Sequence, residues 1–323
     1  MRRAWSLVAL ALVTVVAAAC APALKDLKPS LRSTDSGKIW FASAGTFLSS
    51  PDRSRLVRGE PVVLSGELGF PSGSGPFPAM MIAHGCNGNG AVDAAWARTL
   101  QEWGYATFVI DSFSGRGLVE VCTNARLLTG TQRIPDAYGA LRALATHPRV
   151  DARRIGLMGF SHGGILTLGA STVWARETFA PDGRPAFRAF FPFYPYCNTV
   201  YPERERISAP LRIHIGELDD WTPAGSCIRL IQMLKASGQD ADITVYPGAH
   251  HAFNAEGLGF VRMRNVDNGA DCNVRLASIL GPTLSSASEL EGCLQKGATI
   301  AGNSEATAQS RQNVRAQLLE LMK

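Results

Sequence analysis

A serine between glycines stands near the middle of the chain, in the segment GFSHG at residues 159–163. The pattern G-x-S-x-G is typical of a serine nucleophile on a sharp turn between a strand and a helix. The apolar run Arg154–Met158 precedes Ser161 and the run Gly163–Trp174 follows it, so both flanks fit. Ser161 as the cap of a glycine-rich helix is the alternative. We predict that Ser161 is a nucleophile and that the helix N-terminus stabilises negative charge developing there.

A serine nucleophile needs a base to remove its proton and a third group to orient that base. Two later segments supply candidates, GELDDWTP at residues 216–223 and YPGAHHAF at residues 246–253. Each follows a predicted strand, and sites of parallel α/β sheets assemble at the carboxyl ends of strands. The chain order serine, acid, histidine is a known order for such a triad. We predict that Asp219 is the acid and His251 the base.

Asp220 and His250 are alternatives for these two roles. Asp219 is favoured because Gly-x-x-Asp with a proline four residues later is the usual form of the acid loop, which leaves Asp220 to cap that loop. His251 is favoured because it stands two residues before the aromatic Phe253.

Acyl transfer also needs two backbone N–H groups that stabilise the oxyanion. One is expected from His162, the residue after the nucleophile. The other is expected from the loop after an earlier strand, and IAHGCNG at residues 82–88 is such a loop. We predict that the amide of Cys86 is this second donor and that His84 is a structural brace. A disulfide is expected for the side chain of Cys86 in preference to a reactive thiol.

Composition limits the classes of function. The chain has 323 residues, of which 46% are hydrophobic and 18% charged, so it can bury a large core and is not disordered. The formal net charge is +5, and Arg2 and Arg3 contribute two of the 32 basic residues against 27 acidic ones. An excess this small does not indicate a nucleic-acid partner.

The N-terminus has the layout of an export signal. Two arginines precede an apolar run over residues 4–19 that ends in three alanines, and this run is shorter than the ~20 residues of a membrane-spanning helix. Small residues before Cys20 resemble a lipobox, in which Cys20 would receive lipid and become the mature N-terminus. We therefore predict a signal peptide at residues 1–19, of the lipoprotein type.

Ala17 stands where a lipobox usually has leucine, and ordinary cleavage after Ala19 or Ala23 is the alternative. Residues 20–36 are polar with proline and serine, which predicts a tether. The expected location is the periplasm-facing membrane surface, otherwise the periplasm or the outside of the cell.

Export changes the meaning of the seven cysteines. Without Cys20 six remain, an even set that predicts disulfides in an oxidising compartment, although six cysteines allow about 15 pairings. No cysteine or histidine cluster has the spacing of a metal site, so we expect no metal.

Apolar strands alternate with amphipathic helices along most of the chain. Strands are predicted at Val62–Leu68 (an edge strand), Ala79–Ala83, Tyr105–Ile110, Arg154–Met158, Phe187–Phe191, Leu211–Ile215 and Asp242–Tyr246. Helices are predicted at Ala91–Trp103, Pro135–Thr146, Gly163–Trp174, Pro223–Ala236 and Glu305–Met322. The alternation predicts an α/β fold with a mostly parallel central sheet flanked by helices.

The chain resembles the dienelactone hydrolase family of the α/β-hydrolase superfamily. The resemblance covers about residues 60 to 255 and is carried by HGC at 84–86, WGY at 103–105, DSF at 111–113, RG at 116–117, DAY at 136–138, GFSHGG at 159–164, YPYC at 194–197 and the segments 216–223 and 246–253. The family implies hydrolysis of esters or lactones by a nucleophile–Asp–His triad without a metal or organic cofactor. Dienelactone hydrolase itself uses a cysteine nucleophile, so Ser161 favours a general carboxylesterase.

Further residues are candidates for the site because they follow the ends of predicted strands. Phe113, Tyr194, Tyr196 and Trp221 are candidates for a substrate pocket or for the core, and Arg116 for a substrate carboxylate or a surface ion pair. The expected disulfides are Cys86–Cys122, Cys197–Cys227 and Cys272–Cys293. We expect a single domain over residues 37–323, with a disulfide-closed insertion at about 262–304.

The sequence therefore predicts a serine hydrolase of carboxylic esters or lactones with a small-molecule substrate. The alternatives are an exported peptidase or polyester hydrolase of the same fold, or an exported binding protein without activity. No nucleic-acid partner is expected, and contact with a membrane only through lipid on Cys20. The oligomeric state stays open.

Overall fold

An eight-stranded sheet runs through the centre of the protein in the computed structural model, which describes residues 21–51, 55–182 and 185–323. The predicted export segment and Cys20 lie outside the described residues. The strands are β1 Gly37–Ala42, β2 Thr46–Ser49, β3 Leu56–Gly59, β4 Val63–Gly69, β5 Phe77–Ala83, β6 Ala106–Asp111, β7 Val150–Phe160, β8 Phe190–Phe193, β9 Thr199–Val200, β10 Leu211–Gly216, β11 Ala241–Tyr246, β12 Val261–Asn268, β13 Val274–Arg275 and β14 Gln295–Ile300.

The sheet is mostly parallel, which confirms the predicted fold class. Its strand order is β1-β4-β6-β5-β7-β8-β10-β11. The pairs β1–β4 and β4–β6 are antiparallel, and the remaining pairs of this sheet are parallel. Parallel strands are buried on both faces, and every residue of β8 and β10 is buried accordingly.

Seven helices connect and flank these strands within the described residues. They are α1 Ala91–Glu102, α2 Ile134–Leu144, α3 His162–Ala170, α4 Val173–Phe179, α5 Ala224–Ala236, α6 Ala287–Cys293 and α7 Ser304–Leu321. None of the helices in the described ranges is both long and apolar enough to cross a membrane.

Two local predictions were wrong. The strand expected at the sheet edge is β4, but β1 pairs with it from outside and forms the edge. The helix expected over Gly163–Trp174 is two helices, because Thr172 adopts an extended backbone and its side chain accepts a hydrogen bond from the Ala175 amide, which starts α4. A threonine at such a position is a typical N-cap.

The segment expected to be a tether is partly docked on the domain. Leu31 is buried, and its amide donates to Thr146 Oγ1 over 2.9 Å. His147 Nε2 lies 3.0 Å from the carbonyl oxygen of Asp35. The last part of this segment, from Leu31 to Asp35, therefore contacts the domain.

The region expected as an insertion at 262–304 is built around an antiparallel pair, β12 with β14. Cys272 and Cys293 both lie in the connection between these two strands and form a disulfide. In the same connection β13 pairs with β9 of the main body. We call Val261–Ile300 the hairpin segment. It contacts both loops that carry predicted site residues, as described below.

Helix α2 packs directly on the backbone of β1 at Gly139. A β-carbon at this position would overlap the carbonyl oxygen of Ala42 and lie 2.7 Å from Cα of Ser43. Alanine is favoured over glycine inside a helix by about 1 kcal/mol. Overpacking costs ~1–3 kcal/mol, and here the obstacle is backbone that cannot rotate away.

We therefore expect Gly139→Ala to lower the free energy of unfolding by about 1–2 kcal/mol, measured by urea denaturation. Gly259→Ala is the matched control, because a β-carbon there meets open space. A Gly139→Ala variant as stable as the control would contradict the close packing of α2 on β1.

Candidate active site

Ser161 occupies the turn between β7 and α3. Its backbone angles are φ 52° and ψ −111°, which is strained for a residue with a side chain. The turn is tied down on both sides, since the Ser161 amide donates to the Phe193 carbonyl and the Ile165 amide donates to the Ser161 carbonyl, each over 3.0 Å. Strain of this kind persists where surrounding structure holds it, often at functional sites.

Two glycines around Ser161 are required by close backbone contacts. A β-carbon on Gly159 would overlap the carbonyl oxygen of Gly163, and one on Gly163 would overlap the carbonyl oxygen of Ala83 at the end of β5. The spacing G-x-S-x-G thus lets α3 start directly against the neighbouring strand.

Ser161, His251 and Asp219 form a continuous hydrogen-bonded line. His251 Nε2 lies 2.9 Å from Ser161 Oγ, and His251 Nδ1 lies 2.8 Å from Asp219 Oδ2. The side chains of Asp219 and His251 are buried, whereas Ser161 is partly exposed. Ser161 is therefore the member of this line that solvent can reach, while the two groups behind it are shielded.

The loop after β10 holds the Asp219 carboxylate. Oδ1 accepts from the amides of Trp221 and Thr222 over 3.0 and 2.8 Å. Thr222 Oγ1 lies 3.0 Å from Oδ2, 3.1 Å from the Tyr194 carbonyl and 3.2 Å from His251 Nδ1. These contacts fix the carboxylate facing the imidazole.

The two alternative residues face elsewhere. The Asp220 carboxylate accepts from the Thr299 amide and from Arg262 Nη1, each over 2.7 Å, and so anchors the hairpin segment. His250 Nδ1 lies 3.1 Å from the Leu218 carbonyl, and its ring is 5.4 Å from that of Phe260. Neither side chain has a contact with Ser161 among the described residues.

The predicted oxyanion donors lie on the two segments beside Ser161. His162 is the first residue of α3, and Cys86 follows the end of β5. A β-carbon on Gly85 would lie 3.8 Å from Ser161 Cβ, which brings this loop next to the serine. Within the described residues, neither amide donates a backbone hydrogen bond, so both are available.

The structure joins the same three cysteine pairs that the sequence suggested: Cys86–Cys122, Cys197–Cys227 and Cys272–Cys293. The first pair holds the Cys86 loop, and the Val121 amide also donates to the Cys86 carbonyl over 2.7 Å. Three disulfides are typical of a protein exported to an oxidising compartment.

His84 and His162 are both neutral braces. Burial holds the pKa of His84 well below its ordinary value, and burial followed by the charge of Arg133 lowers that of His162 to about 3. His84 accepts from the Ser112 amide at Nε2, so its Nδ1 donates to the Gly85 carbonyl. His162 accepts from Arg133 at Nδ1, so its Nε2 donates to the Leu128 carbonyl.

The predicted pocket aromatics differ in their exposure and in the histidine that each contacts. Trp221 is partly exposed, its ring is 4.9 Å from His251, and its Nε1 donates to the Asp267 carbonyl. Tyr194 is buried behind His251 at 4.6 Å and donates to Asn254 Oδ1. Phe113 is buried against His84 at 4.4 Å. Trp221 is therefore the one of these three that can face a substrate.

Arg116 does not fit the predicted pocket role. Its Nη1 and Nη2 each bind one carboxylate oxygen of the buried Asp136, over 2.9 and 2.7 Å, and Nη1 also donates to the Ser112 carbonyl. A guanidinium engaged on both terminal nitrogens is not free for a substrate carboxylate. Tyr196 likewise faces away, because its hydroxyl donates towards the carbonyls of Gly269 and Cys272.

Sequence reasoning missed the part played by the hairpin segment. Its Asp267 amide donates to the Cys122 carbonyl, and its Asn268 side chain donates to the Asp220 carbonyl. A small apolar cluster that includes Val266, Met263 and Phe113 joins it to Cys86 in the loop after β5. The only available signal was the cysteine pair, because the rest of the segment carries no motif.

No group of three histidine, cysteine, aspartate or glutamate side chains within the described ranges could hold a metal ion.

The family model described as the dienelactone hydrolase family matches residues 64–275. A protein of Methylorubrum extorquens named as a carboxymethylenebutenolidase is 23% identical over 224 residues, which are 64% of this chain and 75% of that protein. A Bradyrhizobium protein named as a 2-oxo-3-(5-oxofuran-2-ylidene)propanoate lactonase is 23% identical, over 58% of this chain and 77% of its own length.

Solved structures agree on the fold. A Klebsiella pneumoniae protein described as a dienelactone hydrolase superposes with a TM-score of 0.54 at 18% identity, over 86% of this chain and 97% of that one. A dienelactone hydrolase-like promiscuous phosphotriesterase from metagenomic libraries gives 0.57 at 17% identity, over 89% and 100%. At such identities the likeness shows the α/β-hydrolase fold alone.

The buried neutral histidines make stability depend on pH. Burial lowers the pKa of His214 to about 4, as it lowers those of His84 and His162. The unfolded chain takes up these protons below about pH 6.5 while the folded protein excludes them, so acid favours unfolding. Asp93 has the opposite sign, because burial raises its pKa to about 6 and the folded state binds its proton first.

We expect the free energy of unfolding, measured by urea denaturation, to fall between about pH 7 and about pH 5, by up to ~4 kcal/mol per pH unit before the Asp93 offset. His214→Gln should reduce this slope, because it removes one of the three buried histidines. A stability that is flat or rises over this interval would contradict the neutral buried histidines.

Proposed function

The chain belongs to the dienelactone hydrolase family and is a hydrolase, and from this premise we propose that it cleaves carboxylic esters or lactones through an acyl-enzyme on Ser161. The observation that carries the proposal is the line Ser161–His251–Asp219, with 2.9 and 2.8 Å between successive side chains. Nucleophile, base and orienting acid within hydrogen-bond reach are what a serine hydrolase needs.

In the proposed reaction His251 Nε2 takes the proton of Ser161 as Oγ attacks the ester carbonyl carbon. The amides of Cys86 and His162 stabilise the negative charge on the former carbonyl oxygen. The oxyanion then collapses, the bond to the alcohol oxygen breaks, and His251 returns the proton to that oxygen. Water then attacks the acyl carbon while His251 takes a proton from it. The bond to Ser161 Oγ breaks, His251 returns the proton to Oγ, and the carboxylic acid is released.

Asp219 supports this cycle by accepting from His251 Nδ1. That hydrogen bond keeps Nε2 free of its proton and aimed at Ser161, and it stabilises the imidazolium after proton transfer. The contacts of Thr222 and Trp221 with the carboxylate preserve its orientation.

Esters and lactones are the favoured substrate class because relatives in the family are named for lactone cleavage. The serine at position 161 favours a general carboxylesterase over the dienelactone reaction. Since Arg116 is engaged by Asp136, we propose a neutral substrate held mainly by apolar contact with Trp221.

We expect Ser161→Ala and His251→Asn to lower kcat for p-nitrophenyl acetate by at least about 10⁴-fold, and Asp219→Asn by ~10³–10⁴-fold. His250→Asn should stay within about threefold of wild type and Asp220→Asn within about tenfold, because their side chains have no contact with the nucleophile. Steady-state kinetics on folded variants measures these values. If Asp220→Asn lowers kcat as much as Asp219→Asn does, the assignment of Asp219 as the acid is contradicted.

The same proposal places the mature protein outside the cytoplasm, anchored by lipid on Cys20. The six cysteines paired in disulfides support export, and the alanines before Cys20 support the lipid. In cells fed radioactive palmitate, we expect label on the wild-type protein and its recovery with membranes. Cys20→Ser should abolish the label, and label on neither protein would favour ordinary cleavage.

A further inference from the structure

Arg133 is a buried cation beside the turn that carries Ser161. It ends the short 3-10 turn Thr131–Arg133 that leads into α2, and its side chain is 0% exposed. Arginine is almost never fully buried unless it is paired. Yet only its Nη1 forms hydrogen bonds, and its Nε and Nη2 have no partner among the described residues.

The single engaged nitrogen joins the two segments that carry the predicted oxyanion donors. Nη1 lies 2.9 Å from the carbonyl oxygen of His84, two residues before Cys86, and 2.8 Å from Nδ1 of His162. The other nitrogen of the His162 ring donates to the Leu128 carbonyl, so this ring cannot turn away. The guanidinium therefore bridges the two segments.

No carboxylate is hydrogen-bonded to this guanidinium within the part of the chain that the structure describes, although the charges of Asp136, Asp93 and Asp111 act on it through space. Asp136 has both oxygens on Arg116, and Oδ1 of the buried Asp93 has no hydrogen-bond partner. The cation also lies over the face of Phe113, with the ring centroid 5.2 Å from Cζ. A positive charge is thus stored at low dielectric behind the segments that would receive an oxyanion.

We propose that Arg133 is a positioning residue for oxyanion stabilisation: it holds the amides of Cys86 and His162 at their working separation, and its charge favours the oxyanion between them. The inference rests on the proposed serine-hydrolase function. Preorganised donors and charges aimed at developing charge account for much of the rate acceleration in such sites. Because this benefit exists only when the oxyanion forms, loss of Arg133 should lower kcat and spare ground-state binding.

The test compares Arg133→Met, Arg133→Lys and the matched control Arg142→Met. Methionine keeps most of the apolar volume and removes the charge, whereas the lysine ammonium keeps the charge but stops short of both acceptors. Arg142 is also an α2-region arginine, and it donates to the Phe179 carbonyl away from the site. Thermal unfolding of each variant separates loss of fold from loss of rate.

Two readouts distinguish positioning from a merely structural role. The first is the separation of kcat from KM with p-nitrophenyl acetate. The second is affinity for an alkyl trifluoromethyl ketone beside the methyl ketone of the same chain. In the first ketone Ser161 Oγ adds to the carbonyl carbon, the proton passes to His251, and the carbonyl oxygen becomes an oxyanion. The methyl ketone binds without this step.

We expect Arg133→Met to lower kcat by about 10–100-fold with KM within about threefold, and to weaken the trifluoromethyl ketone by the same factor as kcat/KM. The methyl ketone should bind unchanged, Arg142→Met should resemble wild type, and Arg133→Lys should lie between. If the methionine variant does not fold, the lysine variant decides, with at least about a threefold loss of kcat expected.

Three results would overturn the inference: a folded Arg133→Met with wild-type kcat, an Arg133→Lys with wild-type kcat, or equal weakening of both ketones. In each case the wild-type protein is still active, so the proposed function stands. A wild-type protein that neither hydrolyses the ester nor binds the trifluoromethyl ketone would overturn the proposed function, and the inference with it.

Discussion

The site depends on how closely the turn at Ser161 approaches the ends of the neighbouring strands. α3 begins with its backbone against the carbonyl of Ala83, a contact that leaves no room for a side chain at Gly163. This approach brings the two candidate oxyanion amides to the same place, because one follows β5 and the other begins α3. It also goes with a strained backbone at Ser161, where φ is 52°. Packing of backbone on backbone is therefore the first condition for the proposed chemistry.

Three further devices keep the strand ends in register with this turn. Disulfide Cys86–Cys122 holds the loop after β5, and the loop after β10 holds Asp219 through the amides of Trp221 and Thr222. The hairpin segment connects these loops, because it is bonded to Cys122 on one side and to Asp220 on the other. Asp220 thus has a structural role, because its carboxylate binds the hairpin segment. Rigid support of this kind limits the motion that would lengthen the Ser161–His251 contact.

Much of this arrangement could be predicted from the sequence, because its causes are local. The glycines around Ser161, the strand–helix alternation and the order of Ser161, Asp219 and His251 are visible in short segments, and the three side chains do lie in one line. The contacts of Arg133 and those of the hairpin segment with the two loops could not be predicted, because they join residues far apart in sequence. The two roles left open for Arg116 could not be separated for the same reason, since its ion-pair partner Asp136 is known only from the fold. The break before α4 came from one capping threonine inside an apolar run.

The proposed chemistry requires Ser161 to be the nucleophile. The most direct measurement treats the folded protein with a biotinylated fluorophosphonate, digests it, and locates the adduct by peptide mass spectrometry. We expect a single adduct, on Ser161 in the peptide that also contains His162. The Ser161→Ala variant should carry no adduct. An adduct on a different residue, or no adduct on protein that hydrolyses esters, would contradict this assignment.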